Sequence, residues 1–227
     1  MREIVFDTET TGIDPLSGDR MVEIGCIELV NRVPTGRTFH AYFNPCRPMP
    51  LEAERVHGLN DAFLASKNKF DVHALELIEF LADAPLIAHN AQFDFGFLNY
   101  ELGLCGHPLV GMERMIDTLA LARRRHPGAK HSLDALCTRY GVDRSHRVLH
   151  GALLDAELLA QVYVELTGGR QIGLALAAEI GAAVVRVASF VPRIGTYRAP
   201  RPHCPNPDEL ARHKAFLETL ESPLWAQ

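Results

Sequence analysis

Cysteine is scarce and scattered in this sequence. The five cysteines are an odd number and contain no C-x-x-C pair; they are Cys26, Cys46, Cys105, Cys137 and Cys204. This spacing argues against a disulfide framework and against a structural zinc site. Free, buried thiols in a reducing compartment are the expected alternative.

A long uninterrupted apolar run is also missing. Arg2 and Glu3 lead directly into a strand-like segment, without the apolar core of a secretory signal. The most apolar region, near residues 174–191, is interrupted by Glu179 and Arg186, which makes it a poor membrane span. We therefore expect a cytoplasmic protein with no membrane partner.

An excess of positive charge is absent as well. The chain has 23 Lys and Arg residues against 28 Asp and Glu residues, a formal net charge of −5. Such a balance is unusual for a nucleic-acid-binding protein. It does not exclude one, because a site that holds divalent cations concentrates carboxylates, and the cations supply the positive charge that faces a phosphate.

Hydrophobic periodicity and turn residues predict an α/β fold. Strands are expected at 4–9, 21–30 and 38–43, the last two joined by a link containing Asn31, Pro34 and Gly36. Strand–helix alternation follows from residue 71 onward, with strands near 85–88 and 115–116 and helices at 71–82, 91–103, 118–125, 133–140 and 151–167. Asn90, Asp117 and Ser132 are the expected helix N-caps, and Gly103 and Gly141 the expected helix ends. Antiparallel strands followed by this alternation predict a mixed sheet with helices on its faces.

The composition changes after Gly169. We expect one domain over residues 1–169, then an apolar segment over 170–191. Residues 192–227 contain five prolines in their first half and read as a linker and tail, with a short amphipathic helix at 208–221.

The first candidate site residues are two carboxylates on one strand. Asp7 and Glu9 lie two positions apart, so a strand directs both side chains to the same face. Two like charges this close are costly unless a cation neutralises them, and oxygen ligands suit Mg²⁺ or Mn²⁺. The alternative interpretation is that Asp7 and Glu9 are two solvated acidic residues at the end of a strand and bind no metal.

Two further acids and a histidine follow at helix starts. Asp94 lies in the first turn of the helix after Asn90, and Asp155 lies near the start of the last helix. His150 precedes Asp155 by five positions and is expected on the preceding loop, where an imidazole can act as a general base. Taken singly, Asp94 and Asp155 are equally consistent with ordinary acidic residues at helix N-termini. His150 is equally consistent with a loop histidine that packs beside Arg147.

Three segments together carry a family resemblance. Residues 6–12 (Phe-Asp-Thr-Glu-Thr-Thr-Gly), 89–94 (His-Asn-Ala-Gln-Phe-Asp) and 150–156 (His-Gly-Ala-Leu-Leu-Asp-Ala) resemble, in order, the three motifs of DEDDh-family 3′→5′ exonucleases. The resemblance covers residues 1–167. It implies a ribonuclease-H-like fold with a mixed five-stranded sheet flanked by helices.

The resemblance also implies a two-metal mechanism. Asp7, Glu9 and Asp155 are expected to hold one Mg²⁺ or Mn²⁺, and Asp7 to bridge to a second, which Asp94 reaches through water. His150 is expected to take the proton of the attacking water. The expected substrate is a DNA 3′ end and the expected product a 5′-mononucleotide.

Other residues match family positions that contact the terminal nucleotide. His57, in the sequence His-Gly-Leu, and Glu52 are the expected contacts, with Asn90 and Phe93 as further candidates. A loop histidine without a substrate role is the alternative for His57.

The tail resembles that of proofreading subunits of bacterial DNA polymerase III. Residues 171–176 look like a peptide that docks in extended form on the sliding clamp, with Gln171, Leu174 and Leu176 as anchors. The remaining tail resembles the part that holds the catalytic (alpha) subunit of the polymerase, and Trp225 is a plausible anchor.

Three alternatives stay open on the sequence alone. An exoribonuclease or a stand-alone DNA repair exonuclease would carry the same core motifs. A catalytically silent structural subunit of the polymerase is the third, although all five catalytic positions hold competent residue types.

Overall fold

The computed structural model describes residues 1–145, 149–169 and 204–219. These residues fall into two units, one made of residues 1–145 and 149–169 and the other of residues 204–219. The four predicted docking residues lie outside the described residues; they are Gln171, Leu174, Leu176 and Trp225.

The first unit is built on a five-stranded mixed sheet. Its strands are β1 (Arg2–Thr10), β2 (Met21–Val30), β3 (Val33–Tyr42), β4 (Leu86–Ala88) and β5 (Met115–Asp117). The strand order is β3-β2-β1-β4-β5, antiparallel for β3-β2-β1 and parallel for β1-β4-β5. This arrangement confirms the predicted fold class.

Seven helices of the first unit are described. They are α1 (Leu51–His57), α2 (Asp61–Leu64), α3 (Phe70–Leu81), α4 (Ala91–Leu104), α5 (Thr118–Arg125), α6 (Leu133–Tyr140) and α7 (Ala152–Leu166). In the second unit, α8 (Pro207–Leu217) begins with a capping box and ends four residues before the predicted end of its helix. Within the described parts of the chain, none of the helices combines the length and the apolar character that a membrane span needs.

Alternating side chains of β1 divide the core between the two faces of the sheet. Ile4 and Phe6 pack in the cluster formed with α3 and α4, whereas Val5 packs with Leu159 and Tyr163 of α7. Burial of each of these side chains stabilises the fold by about 1.5–3 kcal/mol. Odd-numbered residues of β1 therefore face α7, which is the side on which Asp7 and Glu9 continue the strand.

The hairpin between β2 and β3 is tighter than predicted. β3 begins at Val33 rather than Thr38, and only residues 31–32 form the link, with left-handed φ angles of 52° and 64°. Such a two-residue turn matches the twist of paired strands. Pro34 and Gly36, assigned to the link from the sequence, lie inside β3. An edge strand tolerates the missing N–H of proline, and β3 is at the edge of the sheet.

Helix α4 differs from its prediction at both ends. Asn90 occupies the N-cap position but has a left-handed φ of 64°, and its side chain makes no capping hydrogen bond. Gly103 lies within the helix, which ends at Leu104. The left-handed residue that follows the helix is Gly106, with φ of 73°.

The sequence pattern does not predict α1 and α2. They have seven and four residues, and each buries a single residue, His57 in α1 and Leu64 in α2. Elements this short contain too few turns to show a 3.6-residue period. They matter for function because α1 forms one wall of the site described next.

Candidate active site

Two carboxylates and one imidazole converge where β1 meets the start of α7. Ligand atoms of Glu9, His150 and Asp155 all lie within 4.8 Å of one another. Glu9 and Asp155 are buried, and His150 is exposed. Residues from opposite ends of the domain thus form one group that can hold a divalent cation.

His150 lies on the loop before α7, as its position in the sequence predicts. Its Nδ1 lies 3.1 Å from Oδ2 of Asp155, and its backbone N–H donates to the carbonyl of Val56 in α1 at 3.2 Å. Because a carboxylate only accepts, Nδ1 of a neutral His150 carries the proton, which puts the ring's lone pair on Nε2. Asp155 therefore sets both the orientation and the tautomer of this imidazole.

Asp7 lies beside this group, in surroundings that disfavour the ionised form of its carboxyl. Burial raises the pKa of its carboxyl well above the ordinary value, and the negative charges of Asp94, Glu9 and Asp155 raise it further. Carboxylates crowded in this way stay ionised together only if a cation neutralises them. Carboxylate oxygens are ligands that suit hard divalent cations such as Mg²⁺ or Mn²⁺.

Asp94 approaches β1 from α4. It lies in the first turn of that helix, is 3% exposed, and accepts a hydrogen bond from Oγ1 of Thr8 at 2.7 Å. Burial raises its pKa to about 7, against the lowering effect of the Thr8 hydrogen bond. A buried carboxyl that is half protonated near neutral pH is ready to gain a cation as its partner.

The sequence predicts only one of the two roles that Asp117 has in the structure. Its side chain caps α5 at the N–H of Leu119 (2.9 Å), as predicted. The same oxygen also accepts from the backbone N–H groups of Asn90 (3.0 Å) and Ala91 (3.4 Å). Because these residues begin α4, Asp117 fixes the start of the helix that carries Asp94.

We expect Asp117→Ala to lower the activity of the site about 10-fold or more, the range found when a residue that supports a site carboxylate is lost. Loss of the cap should also cost about 1 kcal/mol of stability. Asp117→Asn keeps the acceptor oxygen and should retain most activity. Steady-state rates and urea unfolding measure both effects.

Ser132→Ala is the matched control, because Ser132 caps α6 at the N–H of Ala135, 3.3 Å away. It should lose comparable stability without loss of activity. Equal activity losses in Asp117→Ala and Ser132→Ala would show that Asp117 acts through stability alone.

A cleft of about 550 Å³ opens beside the carboxylates. Four of the predicted substrate contacts line it, namely Glu9, Glu52, His57 and Phe93. Asn90 is not among the lining residues; its backbone N–H donates to Asp117. The cleft lies between the end of β1 and α1.

Two apolar residues of the cleft are not among the sequence candidates. Ile13 follows the first acidic motif and is 85% exposed, and Val56 of α1 is 48% exposed. Ile13 could have been identified as a cleft residue from the sequence, because it directly follows Thr11-Gly12 of the first motif. Val56 can be identified as a cleft residue only when the position of α1 is known. Both side chains add apolar surface to the cleft.

Within the described residues, His57 carries a buried donor that lacks a hydrogen bond of normal geometry. The residue is 5% exposed, and its Nδ1 accepts from the N–H of Leu59 at 3.0 Å, so the ring proton resides on Nε2. In the described part of the chain, Nε2 makes no hydrogen bond of normal length and angle, and the backbone of Thr10 interacts with the ring only weakly. Burial lowers the pKa of His57, which favours this neutral form. An unsatisfied buried donor costs about 1–3 kcal/mol, and an oxygen of a ligand in the cleft would remove that cost.

The fold and this site define a nuclease. Residues 4–163 match the family described as Exonuclease (RNase_T), and the chain belongs to that family. The nuclease domain of 3′hExo, described as a DEDDh family member bound to rAMP, superposes with a TM-score of 0.63 at 16% identity, covering 73% of this chain and 91% of that one. The ribonuclease-H-like fold is thereby confirmed. Exonucleases of this family depend on divalent metal ions.

Two relatives resemble the chain over almost its whole length. The DNA polymerase III subunit epsilon of Rickettsia felis is 48% identical over 223 residues, covering 97% of each chain. The DNA polymerase III subunit epsilon of Escherichia coli K12 is 41% identical over 236 residues, covering 99% of this chain and 97% of its own. The chain is thus similar to epsilon subunits of DNA polymerase III along the tail as well as in the nuclease domain.

Proposed function

We propose that this chain removes nucleotides one at a time from DNA 3′ ends, as the proofreading (epsilon) subunit of a bacterial DNA polymerase III. The observation that carries the proposal is the convergence of Glu9, His150 and Asp155 within 4.8 Å, beside Asp7. The near-full-length similarity to epsilon subunits supports the polymerase assignment.

The site would take two divalent cations, Mg²⁺ or Mn²⁺. Asp7, Glu9 and Asp155 would hold one, and Asp7 and Asp94 would hold the other. When bound, such cations supply Lewis-acid polarisation of the scissile phosphate and stabilise charge on the leaving 3′ oxygen. Burial raises the pKa values of both Asp7 and Asp94, and neighbouring negative charges raise that of Asp7 further, which supports this donor set.

His150 acts as the general base. Nδ1–H donates to Asp155, and Nε2 takes a proton from the water that attacks phosphorus. The hydrogen bond from the His150 backbone to Val56 holds this loop against α1, next to the cleft. Cleavage of the P–O3′ bond then leaves the phosphate on the released 5′-mononucleotide.

The cleft holds the 3′-terminal nucleotide. Nε2–H of His57 donates to a sugar or phosphate oxygen, and Glu52 accepts from a sugar hydroxyl. Phe93 and Val56 offer apolar contacts to the base, and Asn90, at the start of α4, is a further candidate contact. These contacts are shared by all four nucleotides, as a proofreading enzyme requires.

The tail binds the replication machinery. Residues 171–176 dock on the sliding clamp through Gln171, Leu174 and Leu176, and the segment that contains Trp225 binds the catalytic (alpha) subunit. Similarity to the Rickettsia felis subunit over 97% of the chain supports a shared tail function.

A direct assay tests the activity. The purified chain is incubated with a 3′-mismatched primer–template or its RNA counterpart, in the presence of Mg²⁺, Mn²⁺ or EDTA. We expect metal-dependent release of 5′-mononucleotides from the DNA 3′ end, and its loss in His150→Ala. Preferential degradation of RNA would favour an exoribonuclease. No turnover of either substrate with either metal would contradict the proposal.

A further inference from the structure

Strand β2 meets helix α7 at Gly25 with no room for a side chain. A methyl group at residue 25 would lie 2.3 Å from both Cα and N of Leu153 and 2.5 Å from the carbonyl carbon of Ala152. Ordinary contacts begin near 3.4 Å. All three atoms belong to the backbone, so no side-chain rotation can relieve the overlap.

This feature differs from the close approaches at other glycines. A methyl group at Gly12 would meet the carboxylate end of Asp19, and one at Gly58 would meet Cδ1 of Leu149, both of which are side-chain atoms that can turn away. Gly25 also lacks the left-handed φ that explains glycine at Gly58. Glycine weakens a strand interior, so the explanation for Gly25 is the close approach itself.

The approach occurs at the carboxylate group. Gly25 is the direct cross-strand partner of Asp7 in the antiparallel β1–β2 pair. Ala152 and Leu153 are the first two residues of α7, and Asp155 follows in the same turn, with His150 on the loop just before. The first turn of α7 therefore lies against β2 at the point where the carboxylate of Asp155 approaches the carboxylates of Asp7 and Glu9 on β1.

We propose that Gly25 is a positioning residue of the catalytic site: its missing side chain sets the distance from α7 to β1, and so places Asp155 and His150 against Asp7 and Glu9. The inference rests on the proposed exonuclease function. A methyl group at residue 25 would push the start of α7 outward by at least about 1 Å, and a displacement of that size can cost about 100-fold in rate.

Gly25→Ala tests the inference against Gly96→Ala in the full-length chain. Gly96 lies in α4, and a methyl group there meets nothing within 4 Å. We expect Gly25→Ala to lower kcat about 100-fold, with KM for a primer–template changed less than about threefold, because the cleft is built by β1 and α1. Mn²⁺ affinity, measured by electron paramagnetic resonance without substrate, should fall about 10-fold or more. Gly96→Ala should keep the wild-type values.

Circular dichroism at the assay temperature gives the folded fraction by which each rate is corrected. If Gly25→Ala, once corrected, has the wild-type kcat and Mn²⁺ affinity, the inference is wrong. An inactive wild-type chain that still binds Mn²⁺ more tightly than Gly25→Ala would contradict the proposed function and leave the positioning role intact.

Asp155→Glu provides a test that does not require residue 25 to change. If Gly25 fixes the distance between α7 and β1, a carboxylate that is one methylene longer should fit poorly, and kcat should fall about 100-fold. In the Gly25→Ala background, the longer side chain should instead restore part of the lost rate. A wild-type rate for Asp155→Glu would show that the distance is not critical and would overturn the inference, even where Gly25→Ala fails to fold.

Discussion

His150→Ala is expected to lower the single-turnover rate of terminal nucleotide release by about 10²–10⁴-fold, the usual contribution of a positioned general base. Asp155→Asn should lower it at least as much. Asp155 holds Nδ1 of His150 at 3.1 Å and also belongs to the cation-binding group with Glu9, so its loss disturbs two functions. Rapid-quench assays with excess enzyme measure this step without product release.

The two substitutions should not be additive. If His150 depends on Asp155 for its tautomer, the variant carrying both should be no slower than Asp155→Asn alone. Glu157→Gln, an equal change of charge at an exposed position of the same helix, is the control and should retain the wild-type rate. Multiplicative rate losses in the double variant would mean that His150 and Asp155 act independently.

Asp94→Asn is expected to stabilise the protein against urea in the absence of divalent cations, by an amount that grows with pH. Burial raises the pKa of Asp94 from 3.8 to about 7 in the folded state. Ionisation of Asp94 at neutral pH therefore costs the folded protein stability. Asparagine keeps the oxygen that accepts from Thr8 but carries no charge at any pH.

The direction of this pH dependence follows from the linkage between protonation of Asp94 and folding. Because the folded pKa lies above the unfolded value, the wild-type carboxyl supports folding fully below about pH 4, and this contribution is lost as the pH rises through about 7. The difference between Asp94→Asn and wild type should therefore grow from pH 4 to 8. His57 and His89, whose pKa values burial lowers, change in the opposite sense but are present in both proteins.

Asp83→Asn, at an exposed position, is the control and should show no such trend. Saturating Mg²⁺ at pH 8 should raise the stability of wild type more than that of Asp94→Asn, because a cation bound to the folded state replaces the missing proton. A pH-independent difference between Asp94→Asn and wild type would rule out a buried, ionising Asp94.

The sequence predicts the core elements well because their signals are local. The bounds of β2 match the predicted strand, and Ser132 and Gly141 mark the two ends of α6. The two-residue period of β1 places Asp7 and Glu9 on one face, in agreement with the packing of Val5 against α7. These features depend only on the chain within a few residues.

The remaining features depend on tertiary contacts that no short pattern encodes. Nothing near Gly25 in the sequence indicates that α7 will lie against it. The second role of Asp117 requires the start of α4 to lie beside β5. The wall formed by α1 was not predicted, because its single buried residue, His57, provides no periodic signal. Sequence motifs therefore indicate which residues act together, and the fold determines how closely they approach.

The contacts between α7 and strands β1 and β2 have a consequence for synthesis of the protein. Asp7 leaves the ribosome early, but the helix that completes its site is the last element of the nuclease domain to emerge. A nascent or prematurely terminated chain lacks the carboxylate of Asp155 and the imidazole of His150. Under the proposed mechanism, nuclease activity arises only once the whole domain has been translated, and incomplete chains would leave the DNA around them intact.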